Sequence, residues 1–362
     1  MSVIQERRTV AEPNIGVVVL ERGRRIVRHY LIRRLFRAFF TIFVMASFTF
    51  FLVRLMPGSP VEVYIFNLIS LYNIPYAEAQ QQAASLFSID LDAPLFQQYL
   101  SYLGNLAQGD FGTSLVSRGV PVSTLILRYL PWTLFSVGIA LIISFTVGIL
   151  LGMLMAYWRD SAVDHALTAF SAVAAAVPNY IIAIMFVVVL GVQLELVSIA
   201  AMRGSLSPGV QPGLNLAFIR DAFYHAALPM LTYILTTIGA WMLTMRSSTE
   251  STLGEDYVTV AKARGLPERR IATAYVGRNA SLPLFTQLTI SIAFVVSGSL
   301  LIEVIFVYQG LGLVLFNAIQ QRDYPVMQGV FLVITAMVVL ANLFADLVYA
   351  RLDPRIRIAG GE

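Results

Sequence analysis

The chain has 362 residues, of which 57% are hydrophobic and 13% charged, with a mean hydropathy of +0.74. Soluble domains carry about 25% charged residues, so this composition points to a polytopic membrane protein. Cysteine is absent, which excludes disulfides and thiolate metal sites, and the net charge of +4 is not gathered into the basic surface a nucleic-acid binder needs.

Residues 1–37 hold nine arginines and one short apolar stretch, "IGVVVL", too short to cross a bilayer. They are expected to form a cytoplasmic N-terminal tail. The first apolar run, Ala38 to Met56, carries only Arg54, near its end, where a long side chain can snorkel to the interface. It is longer than the roughly 7 to 15 residues of a cleavable signal, so it is expected to be retained as the first span. Residues 57–129 follow as a large extracytoplasmic loop. It contains two helical-looking pieces, "AEAQQQAASLF" and "APLFQQYLSYLGNL", then the turn-rich "QGDFGTSL".

Five further runs are free of Asp, Glu, Lys and Arg: Leu130 to Trp158, Ala166 to Leu194, Ala226 to Met245, Asn279 to Ile302, and Tyr324 to Ala345. Each approaches or exceeds the roughly 20 helical residues that cross a hydrocarbon core. Pro178 removes one backbone hydrogen bond from the second of these, so a bend is expected there, with Asn179 helping to satisfy what is freed. Trp132, Trp158 and Trp241 are expected near the interfaces. Residues Glu195 to His225 form a second external segment, with the Gly/Pro-rich "RGSLSPGVQPG". Six spans place both termini on one side, and 19 of the 25 Lys and Arg fall on that side. Positive residues are retained in the cytoplasm, so both termini are expected there. The resulting division is tail 1–37, span 38–56, loop 57–129, a core of 130–350 with a cytoplasmic loop at 246–279, and a tail at 351–362.

The most informative stretch of that loop is "GEDYVTVAKARGLPERR", Gly254 to Arg270. Glu255 and Asp256 suit the positive end of a short helix, and Lys262 and Arg264 its negative end. Gly265 can take the left-handed conformation that ends a helix, and Pro267 suits the first turn of the next, "PERRIATAYVGRNA". Tyr257, Val258 and Ala261 give the first helix a small apolar face. A helix this short is marginal alone. The residues leave two readings open: docking against a protein, or lying on lipid headgroups.

The same stretch resembles the "EAA" loop of permease subunits of ATP-binding-cassette importers, in the dipeptide, oligopeptide and nickel branch. Thr259, Val260, Ala261 and Gly265 hold the motif positions, and Ala261 and Gly265 match literally. The resemblance runs from about Arg33 to Arg357 through "FFLVRLMPGSP", "QYLSYLGNLAQGDFGTSL", "LPWTL", "VPNY", "HAALPMLT", "IEVIFVYQGLG", "RDYPVMQGV" and "DLVYARLDPRIR". It departs at the N-terminal extension and at "YQGLG", where the family commonly has a Pro before the GLG. The resemblance implies an all-α membrane protein, six transmembrane helices of the type I importer permease fold, in a prokaryotic cell membrane. It implies a coupling helix seated in a groove of a cytoplasmic ATPase: Gly265 at the corner, Tyr257 and Ala261 as the packed face, and Glu255, Asp256, Arg264 and Arg269 as the rim. Implied partners are a second homologous, C-type permease, two ATPase subunits that bind ATP and Mg, and an external solute-binding protein.

No cofactor site of the chain's own is expected. His29, His165 and His225 are too scattered for a metal site, and there is no phosphate-binding GxxxxGK[ST] or GxSxG nucleophile elbow. Glu303, at the end of the fifth span, is a candidate pathway or gate residue, as is Asn179; an alternative for Glu303 is an interfacial carboxylate partnered by Arg322 or backbone. The rival functions are an ion-coupled secondary transporter, which needs a midplane carboxylate or unwound helix, and a membrane enzyme, which needs clustered reactive side chains. Five carboxylate-free runs argue against the first, and the lack of clustered His, Asp, Glu or Ser within the runs argues against the second.

Overall fold

A computed structural model describes residues 15–55, 60–87, 94–117, 119–295 and 300–352. The start of the N-terminal tail, the "MPGS" that closes the first run, the end of the C-terminal tail and residues 296–299 of the fifth run lie outside the described residues. Among the described residues the regular structure is helical, with one isolated bridge between Thr113 and Pro121.

Helix α1 (Ile15–Leu55) is continuous through 41 residues, so the first apolar run is its C-terminal half rather than a separate element after a tail. Within it, Ile32–Leu52 is apolar and long enough to cross a membrane. The next segment folds as three helices: α2 (Pro60–Tyr72), α3 (Tyr76–Phe87) and α4 (Leu95–Ala107). The latter two are the expected pieces; α2 was not expected. Ile65 and Leu68 of α2 pack on Ala79 and Ala83 of α3. Helix α4 returns to α1, where Tyr99 meets the Ser47 hydroxyl at 2.6 Å and the Phe50 ring at 5.4 Å.

The centre of the molecule is a close pair, α5 (Val122–Tyr157) and α8 (Leu216–Leu253). Between them in sequence lie α6 (Ala162–Ala176) and α7 (Asn179–Met185), the latter continuing as a π-helix over Phe186–Gln193. The helix pair meets where α5 has no side chains. A β-carbon on Gly152 would lie 2.5 Å from the Met242 carbonyl oxygen, and one on Gly148 would lie 2.5 Å from the Trp241 β-carbon. Lipid tails are as apolar as leucine, so helices in a bilayer gain from contact of this closeness rather than from leaving water. Gly239 on the other side of α8 does the same for α6, whose Ser171 carbonyl would stand 2.6 Å from an added β-carbon. Trp241 is therefore core, 3% exposed, and packs edge-on to Phe145.

One of the expected spans is broken. Helices α6 and α7 meet at 101°, at the bend expected beside Pro178. Pro178 excludes helical backbone from its predecessor, and Val177 is extended at ψ 122, so the chain turns a corner before restarting at Asn179. After α8 come α9 (Asp256–Ala263), α10 (Glu268–Arg270), a second π-helix (Ile271–Gly277) and α11 (Arg278–Ala280), leading into α12 (Leu282–Val295). Helices α13 (Leu300–Phe306) and α14 (Leu311–Gln320) then meet at 83°, and α15 (Tyr324–Leu352) closes the described chain. Among the described residues four single helices are long and apolar enough to cross a membrane, and up to six if each bent pair counts as one.

Candidate functional site

The stretch between α8 and α12 is a helix corner built almost wholly from local rules. Glu255 is extended at φ −77, ψ 143 and precedes α9, so only Asp256 sits in its first turn, against the positive end of the helix dipole. At the other end Gly265 has φ +72. Its N–H donates to the Lys262 carbonyl at 2.9 Å, and the Leu266 N–H donates back to Ala261 at 3.3 Å. This is the two-bond closure in which a left-handed residue ends a helix. Nothing lies within 4 Å of a β-carbon placed on Gly265, so glycine is needed there for its backbone conformation alone.

The corner is fastened from inside. Val258 and Ala261 are buried against Ile271 and Val276, with Leu253, Leu266 and Tyr275 around them. This corrects one expectation: Ala261, 3% exposed, belongs to the internal face that holds α9 to the π-helix, so it is not part of an outward packed face. Spacing alone put Tyr257, Val258 and Ala261 on one side of the helix; the fold divides them. Tyr257 is 39% exposed and its hydroxyl accepts a hydrogen bond from Asn279 Nδ2 at 3.0 Å. The open face of α9 and its flanks consists of Tyr257, Val260, Glu255, Asp256, Arg264 and Arg269, all exposed. An apolar pair ringed by both charge signs is suited to receiving a protein surface.

The corner also has firm links to the long helices. A β-carbon on Gly277 would approach Met153 Cε of α5 to 3.2 Å, so the π-helix lies against the end of α5. Close by, Arg246 of α8 donates from Nη2 to Asp164 Oδ2 at 2.8 Å and pairs with Glu250 at 3.3 Å. Asp164 is 2% exposed and also accepts from the Asp160 N–H, so this ion pair joins α8 to the start of α6. The pair was not foreseen, and a spacing of 82 residues gives sequence reasoning no hold on it.

The other two candidates lie elsewhere. Asn179 is half-buried at the first turn of α7, beside the α6–α7 corner. Glu303 is 1% exposed and buried in α13. Its Oε1 accepts from Thr133 Oγ1 at 2.8 Å and its Oε2 from the N–H groups of Gly312 and Leu313 at 2.7 and 3.1 Å. Of the alternative partners expected for it, the backbone supplies the bonds, those of the first turn of α14. His225 is buried with Nδ1 2.9 Å from the Asp221 carbonyl, a packing position. Among the described residues no group of three or more His, Asp or Glu is placed to hold a metal.

These helices fit a family model described as the inner membrane component of binding-protein-dependent transport systems, which matches residues 148–358 and so includes the whole corner. The chain belongs to this family. An oligopeptide transport system permease protein of Bacillus subtilis (strain 168) is 34% identical over 330 residues, covering 90% of this chain and 98% of that protein. A di/tripeptide transport system permease protein of Pseudomonas aeruginosa (strain UCBPP-PA14) is 33% identical over 340 residues, 91% of this chain and 98% of its own. A glutathione transport system permease protein of Escherichia coli (strain K12) is 29% identical over 329 residues, 91% of this chain and 99% of its own. The chain is thus a permease subunit of an ATP-binding-cassette importer, a non-catalytic, multi-pass inner membrane component that works with other transporter subunits.

Proposed function

We propose that this permease carries peptides or a similar solute, and that the α9 corner is where ATP hydrolysis on partner subunits is converted into movement of the membrane helices. The observation that carries the reading is the corner itself: a short helix fastened internally through Val258 and Ala261, presenting Tyr257 and Val260 outward amid Glu255, Asp256, Arg264 and Arg269. A push on α9 passes through the Ile271 and Val276 contacts to the π-helix, and so to α5 and α12. Relatives named as oligopeptide, di/tripeptide and glutathione permeases support a peptide-like solute. Oligosaccharides and nickel chelates are the alternatives within the resemblance.

In this reading the six apolar runs are the six spans, with α6 and α7 together forming the third and α12 entering the fifth; both termini and the 246–279 coupling loop lie in the cytoplasm, and residues 57–129 and the α13–α14 corner outside. The tails 1–37 and 351–362 flank the first span and the 130–350 core. Two ATPase subunits bind ATP and Mg, a homologous C-type permease completes the pathway, and an extracytoplasmic binding protein delivers solute. Asn179, at the α6–α7 corner, lines the pathway. Glu303 acts on the pathway by positioning, because its oxygens are occupied by Thr133 and the amides of α14.

The test is to express the chain with its genomic neighbours, purify the complex and screen peptides, oligosaccharides and metal chelates for stimulated ATP hydrolysis. Stimulation by peptides with co-purified ATPases is expected. Solute transport by the chain without any ATPase would sink the proposal. Ala261→Arg places a charge among Val258, Ile271 and Val276; membrane insertion should persist while stimulation is lost, and unchanged uptake would count against the coupling role of the fastened corner.

A further inference from the structure

Two buried carboxylates bracket helix α14, and each is satisfied by hydroxyls and backbone amides. At its N-terminus Glu303 takes the N–H groups of Gly312 and Leu313, while Thr133 Oγ1 of α5 takes that of Leu311 at 2.8 Å and donates to Glu303. A carboxylate at that end of a helix also meets the positive end of its dipole. The site is shaped for this: a β-carbon on Gly310 would overlap the Glu303 carboxyl, and one on Gly312 would lie 2.6 Å from Leu300 Cα.

Asp323 stands just beyond the other end, between α14 and α15, and is 3% exposed. It accepts the Ser114 hydroxyl and the N–H groups of Leu115 and Val116, at 3.2 and 3.3 Å, and caps α15 through the Val326 N–H at 3.5 Å. The segment it grips returns to α5 by the Val122 N–H donating to Gly112 at 2.9 Å. Leu115, Val122, Leu311, Leu315, Tyr324 and Val330 fill the space inside. The contacts close a ring: α5, Glu303, α14, Asp323, the 111–121 segment, and α5 again. Breaking it at Glu303 or Asp323 strands a buried charged acceptor together with the amides it serves, the costliest kind of hydrogen bond to lose.

We propose that Glu303 and Asp323 are paired positioning residues that hold α13, α14, the first turn of α15, the 111–121 segment and the start of α5 as one rigid plate, which the importer moves as a unit and does not open during transport. The proposal rests on the orientation given above, which puts the plate on the extracytoplasmic side. It differs from a gate, whose contacts must break in each cycle.

The chain lacks cysteine, so introduced thiols are the only ones it carries and labelling is read on its own band. A β-carbon on Gly112 would stand 3.8 Å from that of Pro325, within the range of about 3.5 to 4.5 Å that a disulfide needs, so Gly112→Cys with Pro325→Cys locks the plate shut. In proteoliposomes holding the complete transporter, the oxidised double variant should transport within roughly twofold of its reduced form, whereas a block of about tenfold or more, relieved by reduction, would overturn the plate. Because Gly112 has φ +80 and a cysteine there is strained, a second measurement stands beside it. Leu115→Cys, at a position 8% exposed, should resist a membrane-impermeant maleimide throughout ATP turnover. Adding Asp323→Ala should speed labelling by about tenfold or more, and Asp323→Asn, which keeps one acceptor oxygen, should fall between. Rapid labelling during turnover with Asp323 intact, or no change in Asp323→Ala, would also overturn it. Ser117→Cys, exposed, separates the two readings: labelling only from the ATPase side would refute the orientation and leave the crosslinking result to judge the plate.

Discussion

Gly265 gives the sharpest test of the corner, because its cost can be worked out from one angle and one empty volume. Its φ of +72 lies in the left-handed region, and no atom within 4 Å would meet an added β-carbon. Substitution therefore strains the backbone without any clash. A β-carbon in that conformation costs about 1 to 2 kcal/mol, offset by about 0.4 to 1 kcal/mol because glycine loses more chain entropy on folding. Gly265→Ala should cost the corner about 1 kcal/mol, Gly265→Val about 2 because it is β-branched, and Gly265→Asn least because Asn tolerates this region. One to two kcal/mol changes the population of the formed corner by about 5- to 30-fold. The spans are untouched, so yield and thermal stability of the purified complex should hold. The assay is solute-stimulated over basal ATP hydrolysis in the reconstituted transporter, with the order Gly, Asn, Ala, Val. Full stimulation in Gly265→Val, or an Asn variant as impaired as the Val variant, would refute the argument.

Three sites probe how the helices are held, at Gly152, at the Arg246–Asp164 pair and at Thr133. Gly152→Leu must displace the Met242 carbonyl, so α5 and α8 should part, and folded yield in detergent should fall sharply, while Gly138→Ala on the same helix, with open space around it, should be nearly neutral. Arg246→Ala leaves Asp164 buried without its cation; a loss of about 1 to 3 kcal/mol in stability is expected, discounted because Arg246 is 25% exposed, and the added change Asp164→Asn should recover part of it in a double-mutant cycle. Thr133→Val removes one acceptor from the Leu311 N–H and one donor from Glu303, so a loss of about 1 to 3 kcal/mol is expected, read as a fall in the thermal midpoint; an unchanged midpoint would mean that those bonds contribute nothing net.

Much of the corner was legible because its signals are local. Asp256 at a helix start, Gly265 at its end and Pro267 beyond act through backbone geometry within a few residues, and the structure places each close to where those rules put it. Pro267 stands just before α10 instead of in its first turn, a shift of one residue. Ala261 was misjudged for the opposite reason. Helical spacing says which residues share a side, but not which neighbour covers that side, and here the π-helix supplies Ile271 and Val276. Asp323 and Thr133 went unremarked because their partners lie far away in sequence, at Ser114 and Glu303. The Gly148 and Gly152 pair carried a visible signal, small residues four apart in an apolar run, that was available and unused.

A helical membrane protein can be read from the amino acids alone, because a bilayer demands long uncharged runs and a short helix demands caps, and both are written residue by residue, while the motifs from Arg33 to Arg357 carry the resemblance to the importer permease family. The sequence also located the residues of the corner. The packed fold alone shows that the third run breaks at 101° and that the chain between the fifth and sixth turns at 83°, which face of α9 is open, and where the buried carboxylates find their partners. Those are properties of contacts between distant segments. An apolar run reads the same whether it faces lipid, a glycine seam or a helix turning back, and the difference appears only once the neighbours are in place.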